Sequence, residues 1–335
     1  LAWRPRASFR AIARLLHGTT GLKKVMKNLS VIPKGLAMAW VIRQLKPDHV
    51  HAHWASTPAS AALIAASITG TPWSFTAHRW DIKEGNCLPL KIESASFVRA
   101  ISTKGTCQLQ NVAKPEHRNK IRCIHMGCCV DIINTGTGQT RCKDQNPRPL
   151  PAVIACPANL ISVKGHSVLI DACRILISRG LSFRCIMLGQ GPLRDELGRM
   201  SRELGTDGVV EWWGQIPHNA LLELYHDQDV SIVVLPSIVT PDGDEEGIPV
   251  SLIEAMSAGI PVVSTMTGGI SELLRGNAGV LVPEKDSEAL ANAIFLLLSN
   301  SELYDEISRM GQSRVQDEYA IRKVVADISG AFGSR

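Results

Sequence analysis

The residues best suited to chemistry lie between Gly243 and Met256, in the run Gly243-Asp244-Glu245-Glu246-Gly247-Ile248-Pro249-Val250-Ser251-Leu252-Ile253-Glu254-Ala255-Met256. It follows an apolar stretch that ends Leu235-Pro236-Ser237. A glycine-containing acidic loop gives way to a helix with Pro249 in its first turn, where the missing N–H of proline costs nothing. The free backbone N–H groups at such a helix start suit a diphosphate. Eight residues of helical rise would separate Glu246 from Glu254 by up to ~12 Å. A glycosidase carboxylate pair needs roughly 5–9.5 Å, so these two suit different hydroxyl groups along one extended ligand. The bland alternative is a capped, solvated acidic loop. Asp242-Gly243-Asp244 has the form of a metal-binding carboxylate pair but reads as part of that loop, and no metal is expected. Gly268 and Gly269 precede a helix and either offer further N–H groups or make an ordinary turn.

Other polar candidates end apolar runs. His51 and His53 close one such run and His78 the next. A histidine so placed is commonly a core residue with its nitrogens satisfied, and that reading stands beside a functional one. Trp212 and Trp213 alternate across a strand, so at least one is expected in the core.

The elements that must hold these residues follow from periodicity. Continuous β-branched runs predict strands at His49–Trp54, Ser74–His78, Val98–Ser102 and Ile121–His125. A second set falls at Ala152–Cys156, Arg184–Leu188, Val209–Trp213, Val230–Leu235, Pro261–Thr265 and Val280–Val282. Helical spacing fills the intervals, for example Gly165–Arg179, Leu193–Leu204 and Pro249–Ala258. Unbroken apolar strands alternating with helices imply parallel sheets covered on both faces. The fold class is thus α/β, with two Rossmann-like lobes whose ligand sits outside the carboxyl ends of the strands, in the cleft between them. Thr135–Pro151 is polar, rich in Gly and Pro, and reads as a linker. The expected division is 1–140 for the first lobe, 141–150 for the linker and 151–318 for the second lobe. A C-terminal helix at 319–335 is expected to pack across the two. Residues 49–78 hold no charged side chain but contain four His, four Ser and four Thr, so they read as strand–helix–strand rather than a membrane span.

Composition narrows the class further. The 335 residues are 45% hydrophobic and 20% charged, which excludes a disordered chain and a disulfide miniprotein. Nine cysteines without repeated spacing fit a reduced compartment better than a disulfide framework or a zinc site. The net charge of +5 is uneven: residues 1–46 hold ten Lys or Arg and no Asp or Glu, leaving 26 basic and 31 acidic residues in 47–335. A basic end of this kind serves an anionic membrane, a nucleic acid or solubility. No GxGxxG opens a helix after a strand, which disfavours a dinucleotide oxidoreductase.

Taken together these pieces resemble a known family. Glu246 to Glu254 matches the E-x7-E pattern of retaining GT-B glycosyltransferases, and its surroundings are similar to glycosyltransferase family 4. The supporting pieces, in the family's order, are Lys164-Gly165-His166, Gly189-Gln190-Gly191-Pro192-Leu193, Leu235-Pro236-Ser237, Gly259-Ile260-Pro261-Val262-Val263 and Gly268-Gly269-Ile270-Ser271-Glu272. In the first lobe, His51-Ala52-His53-Trp54 and Ser74-Phe75-Thr76-Ala77-His78-Arg79-Trp80-Asp81-Ile82 resemble the branch that builds bacterial exopolysaccharides and colanic acid. The likeness covers about residues 48–318.

The resemblance implies a retaining transfer of sugar from a nucleotide-diphosphate-sugar, with UDP or GDP as carrier, to a growing, lipid-linked polysaccharide. Glu254 would hold ribose hydroxyls and Glu246 the sugar hydroxyls near the anomeric carbon. Lys164 would neutralise the diphosphate, and Gly247, Val250 and Ser251 would face it with their N–H groups. His78 would face donor sugar and acceptor, His51 and His53 would line the acceptor side, and Ile216 would lie near the base. The leaving group is a stabilised dianion, so positioned cations and N–H donors suffice, and no cofactor or metal is required. The family usually has Arg where this chain has Asn159, which donates hydrogen bonds but carries no charge; Arg194 is a candidate substitute. The family's first strand and its glycine-rich loop do not precede residue 45, so a truncation of about 70 or more upstream residues is expected. Alternatives are another nucleotide-sugar enzyme of the fold, such as a sucrose-type synthase or an epimerase, and a non-catalytic sugar-nucleotide-binding module. The expected location is cytoplasmic, peripheral at the inner membrane face through 1–46, without nucleic acid as a partner.

Overall fold

The computed structural model describes residues 4–129 and 151–333. They divide into two compact units, one running to His125 and resuming at Ala326, the other spanning Met126–Val325. The expected linker at 141–150 lies outside the described residues. The division falls earlier than the linker because the segment after His125 is tied into the second unit: the Cys128 N–H donates to Tyr319 O at 2.8 Å and the Ile321 N–H to Cys128 O at 2.9 Å.

The first unit opens with two helices, α1 (Pro5–His17) and α2 (Leu22–Leu45). A four-stranded parallel sheet follows, in the order β1 (Val50–Ala52), β2 (Trp73–Ala77), β3 (Phe97–Ala100) and β4 (Ile121–Cys123). Helices α3 (Thr57–Thr69), α4 (Arg79–Glu84), α5 (Leu88–Ser94) and α6 (Thr103–Val112) fill the connections. Residues 49–78 form strand–helix–strand as their composition predicts, with α3 buried on nearly every side. By length and composition alone α2 could cross a membrane. Here it buries Asn28, Val31, Gly35, Ala39 and Ile42, a three-and-four spacing that makes one helical face.

The second unit holds a six-stranded parallel sheet in the order β10-β9-β8-β5-β6-β7. Its strands are β5 (Ala152–Pro157), β6 (Phe183–Leu188), β7 (Val210–Gly214), β8 (Ile232–Leu235), β9 (Val262–Thr265) and β10 (Val280–Val282). The helices are α7 (His166–Ser178), α8 (Arg194–Glu203), α9 (His218–His226), α10 (Val250–Ser257), α11 (Ile270–Leu273), α12 (Ser287–Ser299) and α13 (Ser301–Glu318). The last helix, α14 (Ile321–Gly333), begins in this unit, and its final residues belong to the first. There Phe332 meets the His49 ring edge-on at 4.9 Å. The chain leaves β5 toward β6 on one side and resumes at β8 on the other, which makes the β5/β8 border a topological switch point, the place where open α/β sheets bind ligands. In the first sheet the described strands run in one direction without such a reversal.

His166, the first residue of α7, is 2% exposed. Burial first, then the charge of Lys164, push its pKa down to about 4. The folded state therefore needs it neutral. That contribution is complete above the unfolded value near 6.5 and is lost as pH falls toward 4. In urea titrations the second unit should lose about 2 kcal/mol from this group between pH 7 and 4.5. The variant His166→Asn should show a correspondingly shallower decline over the same range.

Candidate active site

At the switch point the loops leaving β5, β8 and β9 are pressed together where a side chain would not fit. Gly165 has φ +67°, and a Cβ there would lie 1.9 Å from Pro236 O. Gly268 has φ +52°, and its Cβ would lie 1.7 Å from Glu246 O. Only glycine permits both the left-handed backbone and the contact. The result joins residues far apart in sequence: Lys164 Nζ donates to Glu246 Oε2 in a half-buried ion pair. Glu246 Oε1 accepts the Gly247 N–H at 3.1 Å. The Gly269 N–H reaches Glu246 O at 3.3 Å. Upstream, Thr240 closes the acidic loop: its hydroxyl donates to Asp242 Oδ1 at 2.6 Å and accepts the Asp244 N–H at 3.0 Å.

Pro249 is the N-cap of α10, and no side chain caps this helix. Val250 and Ser251 form its first turn, with Val250 exposed. Glu254, the fifth residue of α10, is only 7% exposed, and its Oε1 lies 2.8 Å from His218 Nε2. Burial, and then the Glu254 carboxylate, push the Cys128 thiol up to about 12. The same causes raise Tyr225, so both neighbours stay un-ionised. His218 opens α9 and its side chain is 65% exposed. No motif marks it in the sequence, although Pro217-His218 starts a helix directly after Ile216. Ile216 is partly buried against the core. Asn159 is exposed in the loop after β5. The Arg194 guanidinium stacks 4.2 Å from the Trp212 ring centroid; Trp212 packs on the core and Trp213 is exposed.

In the first unit, His51 is satisfied within the sheet: Nδ1 lies 2.7 Å from Ser74 Oγ and Nε2 2.9 Å from Thr76 Oγ1. Burial, then the charges of His49, His53 and Arg99, lower it to about 4. Both nitrogens are thus engaged by the neighbouring strand. His53 is exposed at the end of β1. Its ring centroid lies 5.1 Å from that of His78, and Trp54 lies 4.3 Å from His78. Burial, then His53, lower the His78 pKa. His53, Trp54 and His78 therefore form one aromatic cluster at the carboxyl ends of β1 and β2, while His51 stands apart from it.

The family model for glycosyl transferases group 1 matches residues 140–314. The chain belongs to the group 1 glycosyltransferases. It is 37% identical over 213 residues to the putative colanic acid biosynthesis glycosyltransferase WcaL of Salmonella typhimurium, covering 61% of this chain and 52% of that protein. It is 39% identical over 187 residues to the amylovoran biosynthesis glycosyltransferase AmsK of Erwinia amylovora, covering 53% of this chain and 45% of that one. The chain spans about half the length of these curated relatives. In fold it is similar to Anabaena HepE, solved in complex with UDP, with a TM-score of 0.72 at 19% identity over 89% of this chain and 82% of that one. The lipopolysaccharide outer core galactosyltransferase WaaB gives 0.69 at 19% identity over 91% and 80%. The two parallel-sheet α/β units are those of the GT-B fold.

The close approach at Gly268 has a direct test. Gly268→Ala should destabilise the second unit by about 2 kcal/mol or more, because the left-handed backbone alone costs roughly 1–2 kcal/mol and the Cβ clash adds to it. Gly243→Ala shares a positive φ of +73° with nothing within 4 Å. Urea unfolding should therefore show that control losing only the backbone part.

Proposed function

We propose that this chain is the sugar-transferring part of a retaining glycosyltransferase that takes a nucleotide-diphosphate-sugar and extends a lipid-linked polysaccharide. The observation that carries the reading is the Lys164–Glu246 pair at the β5/β8 switch point, with the uncapped start of α10 beside it in sequence. A diphosphate drawn to Lys164 and to the N–H groups of Gly247, Val250 and Ser251 would take the ammonium from Glu246. That frees the carboxylate for sugar hydroxyls near the anomeric carbon. Glu254 accepts from ribose hydroxyls deeper along the same helix, and Asn159 and Ile216 complete the donor side. As the anomeric C–O bond breaks, its electron pair stays on the diphosphate, where the Lys164 charge and the N–H dipoles stabilise it. The acceptor hydroxyl oxygen forms the new bond to the anomeric carbon, and its proton passes to the departing diphosphate oxygen. These groups work without a metal. The first unit takes the acceptor glycan at His78 and His53, with His51 held behind them in the sheet.

Two further parts of the reading concern partners. The likeness to colanic acid and amylovoran enzymes supports a polysaccharide acceptor, and UDP in HepE supports a UDP-sugar as first choice over GDP. For the membrane, the N-terminal helices expose Phe9 at 76% and Leu22 at 79% among basic residues. Arg14 and Lys27 are partly occupied by Glu93 and Glu84. Arg4 and Lys24 likewise donate to the carbonyls of Ile68 and Gly85, and each basic side chain that reaches an anionic surface would add about 1 kcal/mol. These features support a peripheral position at the cytoplasmic face of the membrane.

Incubating the protein with labelled UDP-, GDP- and dTDP-sugars and membrane lipid extract should move label into lipid, with the anomeric configuration kept in the product's NMR spectrum. Donor binding without turnover overturns the reading. Glu246→Ala should lower turnover about 100-fold or more, whereas Glu254→Ala should chiefly weaken donor binding, by about tenfold. Co-sedimentation with liposomes should rise when anionic lipid is included; equal binding to neutral liposomes discards the membrane role.

A further inference from the structure

Beneath the His53–Trp54–His78 cluster lie two buried charges that the proposed transfer leaves unused. Lys91, on α5, is 0% exposed, and its ammonium donates to the backbone carbonyls of Ala55 at 2.7 Å and Ser56 at 2.8 Å. Asp81, on α4, is 3% exposed. Its Oδ1 accepts the Ser56 N–H at 3.1 Å and its Oδ2 accepts the His78 N–H at 3.1 Å. Ser56 is therefore held on its N–H by an anion and on its carbonyl by a cation. One carboxylate also joins the loop after β1, which carries His53 and Trp54, to the start of α4, which carries His78.

Such an arrangement is expensive. Taking an ammonium out of water is costly, and a well-packed apolar side chain often serves stability equally well. Burial pushes the Lys91 pKa down to about 8, against the opposing charges of Cys87, Glu84 and Asp81. What the two groups supply and an apolar pair does not is a fixed backbone position for Ser56, two residues from an exposed tryptophan whose ring lies 4.3 Å from that of His78.

We propose that Asp81 and Lys91 are positioning residues: they clamp Ser56 and so set His53 and Trp54 against His78, giving the first unit a preformed wall for a hydroxylated sugar ring. An indole face takes the apolar C–H side of a pyranose and the exposed His53 imidazole takes its hydroxyls, with His78 backing the indole. The inference rests on reading the first unit as the acceptor side.

The test uses the whole chain with Asp81→Asn, which keeps the volume but loses one accepting oxygen, and with Lys91→Met. Hydrogen exchange followed by mass spectrometry should show amides in 53–57 and 78–80 exchanging about tenfold faster in both variants, as expected for losing a hydrogen bond to a charged group. Exchange in the second unit should be unchanged. In the transfer assay the half-saturating amount of lipid extract should rise about tenfold while the donor KM shifts less than about twofold. Unchanged exchange, or an equal rise in both constants, overturns the clamp. Should Lys91→Met fail to fold, Asp81→Asn decides alone. If the unaltered protein transfers no sugar, the proposed function falls, and the exchange rates still decide whether the clamp exists.

Discussion

The second unit depends on the divergence of the chain at the border of β5 and β8. Neighbouring parallel strands there lead to helices on opposite faces of the sheet, so their loops flank one crevice, on which the backbone N–H groups and side chains of both converge. Convergence alone leaves the loops a side chain apart. Two glycines remove that distance: the Gly165 backbone lies against Pro236 and the Gly268 backbone against Glu246. Lys164 and Glu246, separated by 82 residues in the chain, meet for this reason. Because α10 begins directly after the loop, Glu254 follows along the same helix on a buried stretch, and its carboxylate reaches His218 across from α9.

The first unit reaches an organised surface by other means. The β1–β2 pairing sets His51 opposite Ser74, which consumes the imidazole inside the sheet and leaves the loops beyond it to carry exposed groups. A buried polar network then fixes the helices behind. Asn28 of α2 donates to Thr19 and to Asn86, each at 2.9 Å, and accepts from Ser60 of α3 at 2.8 Å. Buried amides satisfied in this way specify one arrangement, because each displaced partner would leave an unpaired group in a low-dielectric interior. This also explains why α2, apolar enough by composition to cross a bilayer, packs here with Asn28 facing inward.

Much of the framework is legible in the residues themselves. Strands buried on both faces are written as continuous β-branched runs, so each predicted strand falls within two residues of its position among the described residues. The acidic loop and the helix after it are equally readable, since Pro249 marks the start and the apolar spacing marks the inner face; the structure shifts Pro249 by one place, to the N-cap. The division between units is less so. A polar, Gly- and Pro-rich run announces a connection, but the short bridge of Cys128 to Ala320 pairs residues no local pattern links. His218 is likewise invisible from its neighbours, because its partner Glu254 lies 36 residues away.

The sequence by itself determined the order of strands and helices, the residue types at the loop ends and the family they spell, because periodicity and short motifs are local properties of a chain. It could not decide which histidine keeps a nitrogen free. His51, His53 and His78 read alike as strand-end histidines, yet Ser74 and Thr76 engage the first, while the other two join Trp54 beyond the strands. Nor could it pair Lys164 with Glu246, or show that Asp81 and Lys91 hold the same serine from two sides. Those outcomes depend on distances of a few ångströms between segments remote in the chain, and only the packing of the sheets and the loops pressed at their ends sets such distances.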